Sequence, residues 1–456
     1  AIANGTKPSA NGTLCAPGYE GALCAMCMDG HFRDNVAKTC LPCEETSDCW
    51  VYVVVLVGCA ALAYPTYLVY ERAKAFFRSK CALGGKEGEE NEEQEGDEEE
   101  SDSWYLLKEN AKTVFYTWQI IGQMASLNEI RGGGEFPAPF NHVVRALEPL
   151  TSLDFFNIFH VSCWMGHTTY AHRVLFASVM PVLGVAFSIT TFVLMARKPS
   201  VGIKLPGQAF SKERLKRDWI EILLIKYANM AMVFTFPVAV KTYLLSFICN
   251  SYDVGEEEEE LKIMAASLSV ECVHPLSFSL SEPHGGIKVI GLVALLIVTP
   301  LILISLYMSI YPIRHLLENR TKRKCSPLVD FIISRWKPLK WQYAFIDVVR
   351  RILLTSGLLL MPDVQSQCLL AILLNVGFTM LYRESNPYYD DATSDLDNMC
   401  QWSIVVSAFA LLLEPVLDEF ESESESDVFT TFLVGILFTV HVLVIVMAIM
   451  PGLFGD

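Results

Sequence analysis

Ionisable side chains set inside long apolar runs are the residues of this chain best suited to do chemistry. Glu221, Lys226 and Lys241 fall in one such run together with the polar Asn229, and Asp347, Arg350 and Arg351 in another, while the polar Asn375 and His441 lie within two more. A charge at mid-bilayer costs about 3 kcal/mol or more unless it is paired or wet, so such residues mark ion, proton or substrate pathways, or neutralised structural pairs. Asp347 and Arg351 are four residues apart and share a helix face, which makes them a self-neutralising pair near a membrane interface. The functional alternative is that this face lines a hydrated pathway and looks towards Glu221 and Lys226. Pro237, Pro300, Asn229 and Thr235 would then let helices bend and present backbone carbonyls to it, or would simply kink a packed bundle. Catalysis has little support. The chain has no nucleophile elbow, phosphate-cradling glycine loop or histidine pair with metal-ligand spacing, so no enzyme activity, cofactor or metal is expected. His160, His167, His172, His274 and His284 are scattered and read as hydrogen-bonded surface residues.

The second reactive group is sulfur. Cys15, Cys24, Cys27, Cys40, Cys43 and Cys49 are spaced C-x8-C-x2-C-x12-C-x2-C-x5-C and run straight into the apolar segment Trp50 to Tyr70. Cysteines this dense need an oxidising compartment, which places the N-terminus outside. Two C-x2-C pairs suit a zinc site, but the turn-rich Pro17-Gly18-Tyr19-Glu20-Gly21 favours an epidermal-growth-factor-like disulfide knot, with about fifteen pairings left open. Cys249 and Cys272 share one external loop and are expected to pair. Cys163, if external, makes the outer cysteine count odd and leaves one thiol free or joined to a partner chain. Asn4 and Asn11 head glycosylation sequons. A chain that starts outside without an initiating Met implies either a removed signal or a larger N-terminal stalk.

These residues need a membrane scaffold to position them. The chain is 52% hydrophobic, above the roughly 45–50% of soluble domains. Its net charge of -16 is concentrated in Glu87–Asp102, Glu256–Glu260 and Glu419–Asp427. Such blocks are normally solvated and disordered and offer nothing to a nucleic acid. The organisation expected is an extracellular cysteine module at 1–49, a first crossing with its basic flank at 50–82, an acidic disordered cytosolic loop at 83–103, and a helical bundle at 104–456. Within the bundle lie an external disulfide loop at 249–286 and a basic cytosolic loop at 314–341.

Crossings are expected at Trp50–Tyr70, Trp104–Ile130, Arg173–Met195, Trp219–Ile248, Ile287–Ile313, Gln342–Met361, Ser366–Tyr382, Met399–Leu417 and Val428–Met450. Trp104–Ile130 is the least apolar, because Lys108, Glu109, Lys112, Gln119 and Gln123 interrupt it, and only parity makes it a span. Gly132–His172 is broken by prolines and reads as external, with 153–159 as a re-entrant or interfacial helix. Three basic loops then fall on one side, the cytosolic one. The fold expected is an all-α polytopic membrane protein of about nine transmembrane helices with a small disulfide-rich extracellular N-terminal module. The acidic residues of the segment Tyr382–Asp391 are expected to staple electrostatically onto the basic loop of residues 314–340, with a calcium site at Asp390, Asp391, Asp395 and Asp397 as a bolder alternative.

The order Cys15-x8-Cys24-x2-Cys27, Trp118-Gln119-Ile120-Ile121, Leu153-Asp154-Phe155-Phe156, Cys163, Cys249/Cys272 followed by His274, Arg350-Arg351-Ile352-Leu353-Leu354-Thr355 and Asn386-Pro387-Tyr388 resembles one group of proteins. These are the multi-pass C-terminal membrane regions of large algal and oomycete surface proteins with ephrin-receptor-like or epidermal-growth-factor-like cysteine modules. The late crossings also resemble fungal transient-receptor-potential-like and flavin-carrier membrane proteins. The resemblance implies a channel or transporter of the plasma or ciliary membrane. A cation channel gated by force or ligand is the first expectation, with acidic mouths at Glu256–Glu260 and Glu419–Asp427 concentrating cations. The rivals are a non-conducting receptor or anchor holding an extracellular glycoprotein or ciliary filament, and a lipid or metabolite transporter. The partners expected are the lipid bilayer, an extracellular protein or glycoprotein, and further copies of the chain as a homo-oligomer.

Overall fold

The computed structural model describes residues 16–20, 26–28, 30–33, 39–43, 92–131, 133, 135–152, 163, 170–197, 230, 232–253, 260–267, 270–272, 278, 282–310, 330–418 and 423–453. The expected first crossing, and with it Cys15, Cys24, Cys49, Asn4, Asn11, Glu221, Lys226 and Asn229, lies outside those residues. The chain divides into two compact units, one of residues 1–108, 154–167 and 449–456 and one of 109–153 and 168–448.

In the first unit, β1 (Tyr19–Glu20) pairs antiparallel with β2 (Met26–Cys27), and β3 (His31–Arg33) with β4 (Cys40–Pro42). Gly18 has φ +86°, and a Cβ there would approach the His31 ring at 3.1 Å, so the first turn requires glycine. The Cys27–Cys40 disulfide ties the two hairpins together. Cys43 pairs with Cys163, 120 residues downstream. The N-terminal cysteine framework therefore does not close on itself, because Cys43 is joined to Cys163.

The second unit is helical. α1 (Glu92–Ile130) enters it at Glu109, and α2 (Phe140–Ser152), α3 (Tyr170–Arg197) and α4 (Met232–Leu245) follow. The hairpin β5 (Cys249–Asp253) and β6 (Glu260–Met264) precedes α5 (Pro283–Val293), a π-helical turn Ala294–Val298 and α6 (Thr299–Ile310). Pro300 donates no N–H and its ring crowds the preceding turn, so the widened turn before it relieves the clash. α7 (Asp330–Ile333), α8 (Tyr343–Thr355), α9 (Val364–Ser385), α10 (Asp391–Asp418) and α11 (Glu423–Leu453) complete the bundle.

Among the described residues, four segments are long and apolar enough to cross a membrane: Pro283–Tyr307, Val364–Ser385, Asp391–Glu414 and Val428–Met450. Three expectations change. The stretch 83–103, expected to be disordered, is already helical from Glu92, as suits glutamate's good helix propensity and its favourable place in a helix's first turns. The expected crossing Gln342–Met361 is a 13-residue helix followed by the 3-10 turn Gly357–Leu360. At about 20 Å that helix is short of the roughly 30 Å hydrocarbon core, and Ser356-Gly357 are weak helix formers that end it. Trp104–Ile130 is helical throughout, but between Glu109 and Asn128 only Ala111 is exposed. That helix is the axis of its unit. Its charges lower the segment's hydropathy because they face protein, and apolar side chains such as Leu296, Ile304, Leu373, Phe432 and Val442 occupy the outer surface instead.

Candidate functional site: a buried ladder of charges

The i, i+3 and i+4 spacing on α8 turns Asp347, Arg350 and Arg351 to one buried face. Asp347 Oδ1 lies 3.0 Å from Arg350 Nη2, and its Oδ2 lies 3.4 Å from Arg351 Nε. Arg350 Nη2 also lies 3.9 Å from Asp397 Oδ1 on α10, and Arg335 Nη2 reaches the same oxygen at 3.3 Å. Five charges thus alternate in sign: Arg335, Asp397, Arg350, Asp347, Arg351. Tyr388 Oη and Gln401 Nε2 both donate to Asp397 Oδ2. Asn375 Nδ2 donates to the Gln401 carbonyl, and Thr379 Oγ1 to Gln401 Oε1 at 2.6 Å, so α9 is joined to the ladder through Gln401.

Aromatic rings pack against the cations. Arg351 lies 3.9 Å above the Tyr116 ring and donates through Nη1 to the Val233 carbonyl at 3.3 Å. Arg335 lies 5.0 Å from the Trp336 ring and 5.4 Å from the Tyr388 ring, which stack on each other. A guanidinium over an aromatic face in a dry site gains about 2 kcal/mol. The loops that carry these rings clasp through backbone: Lys337 N–H donates to Pro387 O at 2.7 Å and Tyr389 N–H to Arg335 O at 2.9 Å. Here the acidic and basic loops are stapled together, and the contact is buried. Burial works against the Arg335 cation, but the Tyr388 oxygen and the Asp397 carboxylate outweigh it and hold the guanidinium pKa above its ordinary range. Burial, followed by Asp397, pushes the Tyr388 phenol well above the usual tyrosine range.

On α1, Glu109 pairs with Lys112 and accepts from Ser334 Oγ at 3.0 Å. Lys112, Tyr116, Val233, Arg335, Asp347 and Arg351 line a void of about 20 Å³, and a polar void above roughly 10–15 Å³ holds one water. Beyond it, Gln119, Gln123 and Ser126 continue the spacing begun by Glu109, Lys112 and Tyr116, giving a polar seam about 26 Å long on one helix face. Gln119 Nε2 donates to the Thr151 and Phe234 carbonyls at 3.3 and 3.1 Å, and Lys241 Nζ donates to Ser126 Oγ at 3.0 Å. Gln123 is 1% exposed, and neither of its amide atoms has a partner among the described residues.

Of the residues singled out from sequence, Asp347, Arg350, Arg351 and Asn375 come together, and Lys241 meets the seam. His441 does neither. Its Nδ1 donates to the Leu437 carbonyl at 2.7 Å, and its ring packs on Trp118 and Phe140. Asp397 is turned into the ladder, so it is not free to complete a calcium site with Asp390, Asp391 and Asp395. Sequence reading missed Glu109, Lys112, Tyr116, Gln123, Arg335 and Tyr388 as site residues. The alternating three- and four-residue spacing from Glu109 to Ser126 was the available signal. No family model, curated protein or solved structure matches the chain.

Proposed function

We propose that the chain is a membrane-embedded, cation-permeable channel of the transient-receptor-potential-like kind, gated by force or ligand, with the charge ladder as its closed latch. The observation that carries this reading is the ladder with its seam. Seven ionisable groups (Glu109, Lys112, Arg335, Asp347, Arg350, Arg351 and Asp397), all buried, sit in a unit that also contains three of the four membrane-length apolar helices found among the described residues and nearly all of the fourth. Ionisable residues in such surroundings are retained for function by default. Four of the seven are basic and three acidic, so the ladder itself does not select cations. Selection falls to the acidic mouths Glu256–Glu260 and Glu419–Asp427. Opening requires the ladder to part, since its void admits about one water.

In this reading the crossings expected from the sequence, Gln342–Met361 excepted, span the membrane, with the N-terminus and its epidermal-growth-factor-like module outside, the basic loop 314–341 in the cytosol, and the plasma or ciliary membrane as the host. The test is ion flux through purified full-length protein in liposomes under voltage, membrane tension and calcium. Cation flux above that of empty liposomes is expected, and its absence under all three stimuli sinks the proposal. A second reading, a non-conducting receptor or anchor, draws support from Cys43–Cys163, which fastens the cysteine module to a segment far along the chain. A stoichiometric extracellular partner captured equally by wild type and Asp347→Asn, with no flux, would favour it.

A further inference from the structure

The β5–β6 hairpin lies at the C-terminal end of α1, where Asn250 Nδ2 donates to the Ile130 carbonyl at 2.8 Å. Cys249 opens β5 opposite Met264. Cys272 lies on the next segment, where Glu271 bridges Ile263 and the Cys272 N–H donates to Lys262 O at 2.8 Å. The two cysteines form a disulfide with their α-carbons 6.4 Å apart. His284, in the first turn of α5, was expected at the surface but is fully buried. Its Nε2 lies 4.0 and 3.9 Å from the two sulfurs and 3.3 Å from the Ser246 carbonyl. The helix reaches this corner because residue 291 is glycine: a Cβ there would meet Ser246 Oγ at 2.8 Å.

Backbone pairing holds the two cysteines together independently of the sulfur–sulfur bond. The Ala265 N–H donates to Ile248 O and the Met264 N–H to Val270 O, each at 2.9 Å. Opening the disulfide therefore leaves two thiols on a fixed sheet with an imidazole nitrogen beside both, and the three donor atoms lie within 4.8 Å of one another. Tetrahedral zinc, with Zn–S near 2.3 Å and Zn–N near 2.0 Å, asks for sulfurs about 3.8 Å apart and a nitrogen about 3.6 Å from each. His284 is already within about half an ångström of that position, and rotation of the cysteine side chains separates the sulfurs.

We propose that Cys249, Cys272 and His284 form a redox-controlled zinc site. As a disulfide the pair excludes the metal. A dithiol reductant attacks one sulfur, and its second thiol displaces the mixed disulfide. Two electrons and two protons pass to Cys249 and Cys272, and the reductant leaves as a cyclic disulfide. Zn²⁺ then binds the two sulfurs and His284 Nε2, releases the two thiol protons and keeps a fourth position for water or a further ligand. The spacing gave no hint of this, because His284 reaches the sulfurs through the fold and not through a metal-binding motif. The site stands whether or not the chain conducts.

Cobalt(II) titration of the full-length protein in detergent, after reduction with a non-chelating phosphine, tests it. Reduced wild type is expected to show a thiolate-to-cobalt charge-transfer band and tetrahedral d–d absorption, both displaced by Zn²⁺, while unreduced protein shows neither. Reduction also frees the N-terminal cysteines, so the site is read as the difference between variants: Cys249→Ser with Cys272→Ser should bind one equivalent of cobalt fewer than reduced wild type and lose that share of both signals. His284→Asn, which keeps both thiols, should retain the charge-transfer band and weaken binding of that equivalent at least about tenfold. Absence of the band in reduced wild type, equal cobalt stoichiometry in the double serine variant, or unchanged affinity in His284→Asn overturns the site.

Discussion

Between Glu109 and Asn128, α1 buries Glu109, Lys112, Gln119 and Gln123, whereas α11 between Val428 and Val446 exposes Val428, Phe432, Val442 and Val446. The two helices invert the soluble-protein rule, in which charge faces out and aliphatic side chains face in. The wide apolar face of α11 is consistent with a lipid surround. α1 is surrounded by protein, so its polar groups can be paired. Hydropathy therefore reports what a helix faces, and the least apolar long helix of the unit is its axis.

Substitutions at the inner ladder should be far more damaging than substitutions on the outer surface. Asp397→Ala leaves Arg335 and Arg350 as neighbouring buried cations and should destabilise the protein by about 3–5 kcal/mol, read as the largest fall in thermal midpoint in detergent. Asp347→Asn keeps an acceptor and one hydrogen bond and should lose about 2–3 kcal/mol in the same assay. Tyr116→Leu removes the ring beneath Arg351, for about 2 kcal/mol. Leu373→Ala, on a side chain that is 70% exposed, should change stability by less than about 0.5 kcal/mol. An equal loss there and at Asp397 would erase the distinction between axis and rim.

Asp363 supplies the smallest effect. The Ser366 backbone N–H and hydroxyl donate to its carboxylate at 2.8 and 2.9 Å, capping α9, and hold its pKa below the ordinary range, with Arg131 adding to this. A depressed carboxylate contributes stability above its unfolded pKa, near 3.9, that is lost as pH falls through the lower folded value. Between about pH 5 and pH 3, the fall in thermal midpoint should be slightly smaller in Asp363→Ala than in wild type.

The sequence reveals where some of the ladder lies but not how far it extends. Asp347 and Arg351 are legible as partners because helix spacing alone brings them together. Arg335 and Asp397 are 62 residues apart, and only the packing of the 334–340 and 386–390 loops joins them. Glu109 and Lys112 were visible but counted against their helix, since a hydropathy scale does not distinguish a charge facing protein from one facing lipid. Cys163 was recognised as the cysteine that made the outer count odd. Its partner, Cys43, looked committed to a closed knot, and no local spacing linked the two. The expected spans Ser366–Tyr382 and Val428–Met450 match the apolar helical segments Val364–Ser385 and Val428–Met450 to within three residues, because every turn of an outward-facing apolar helix repeats the same signal.

Gln123 tests the central claim most directly, because replacing an unpartnered buried amide separates conduction from folding. Gln123→Leu should leave thermal stability unchanged or raise it by about 1–3 kcal/mol, since a buried amide without a partner is removed. If the α1 seam carries ions, unitary conductance of the reconstituted variant should fall severalfold or vanish in that same preparation. Wild-type conductance in a stably folded Gln123→Leu protein would contradict the account, because the pathway would then lie elsewhere.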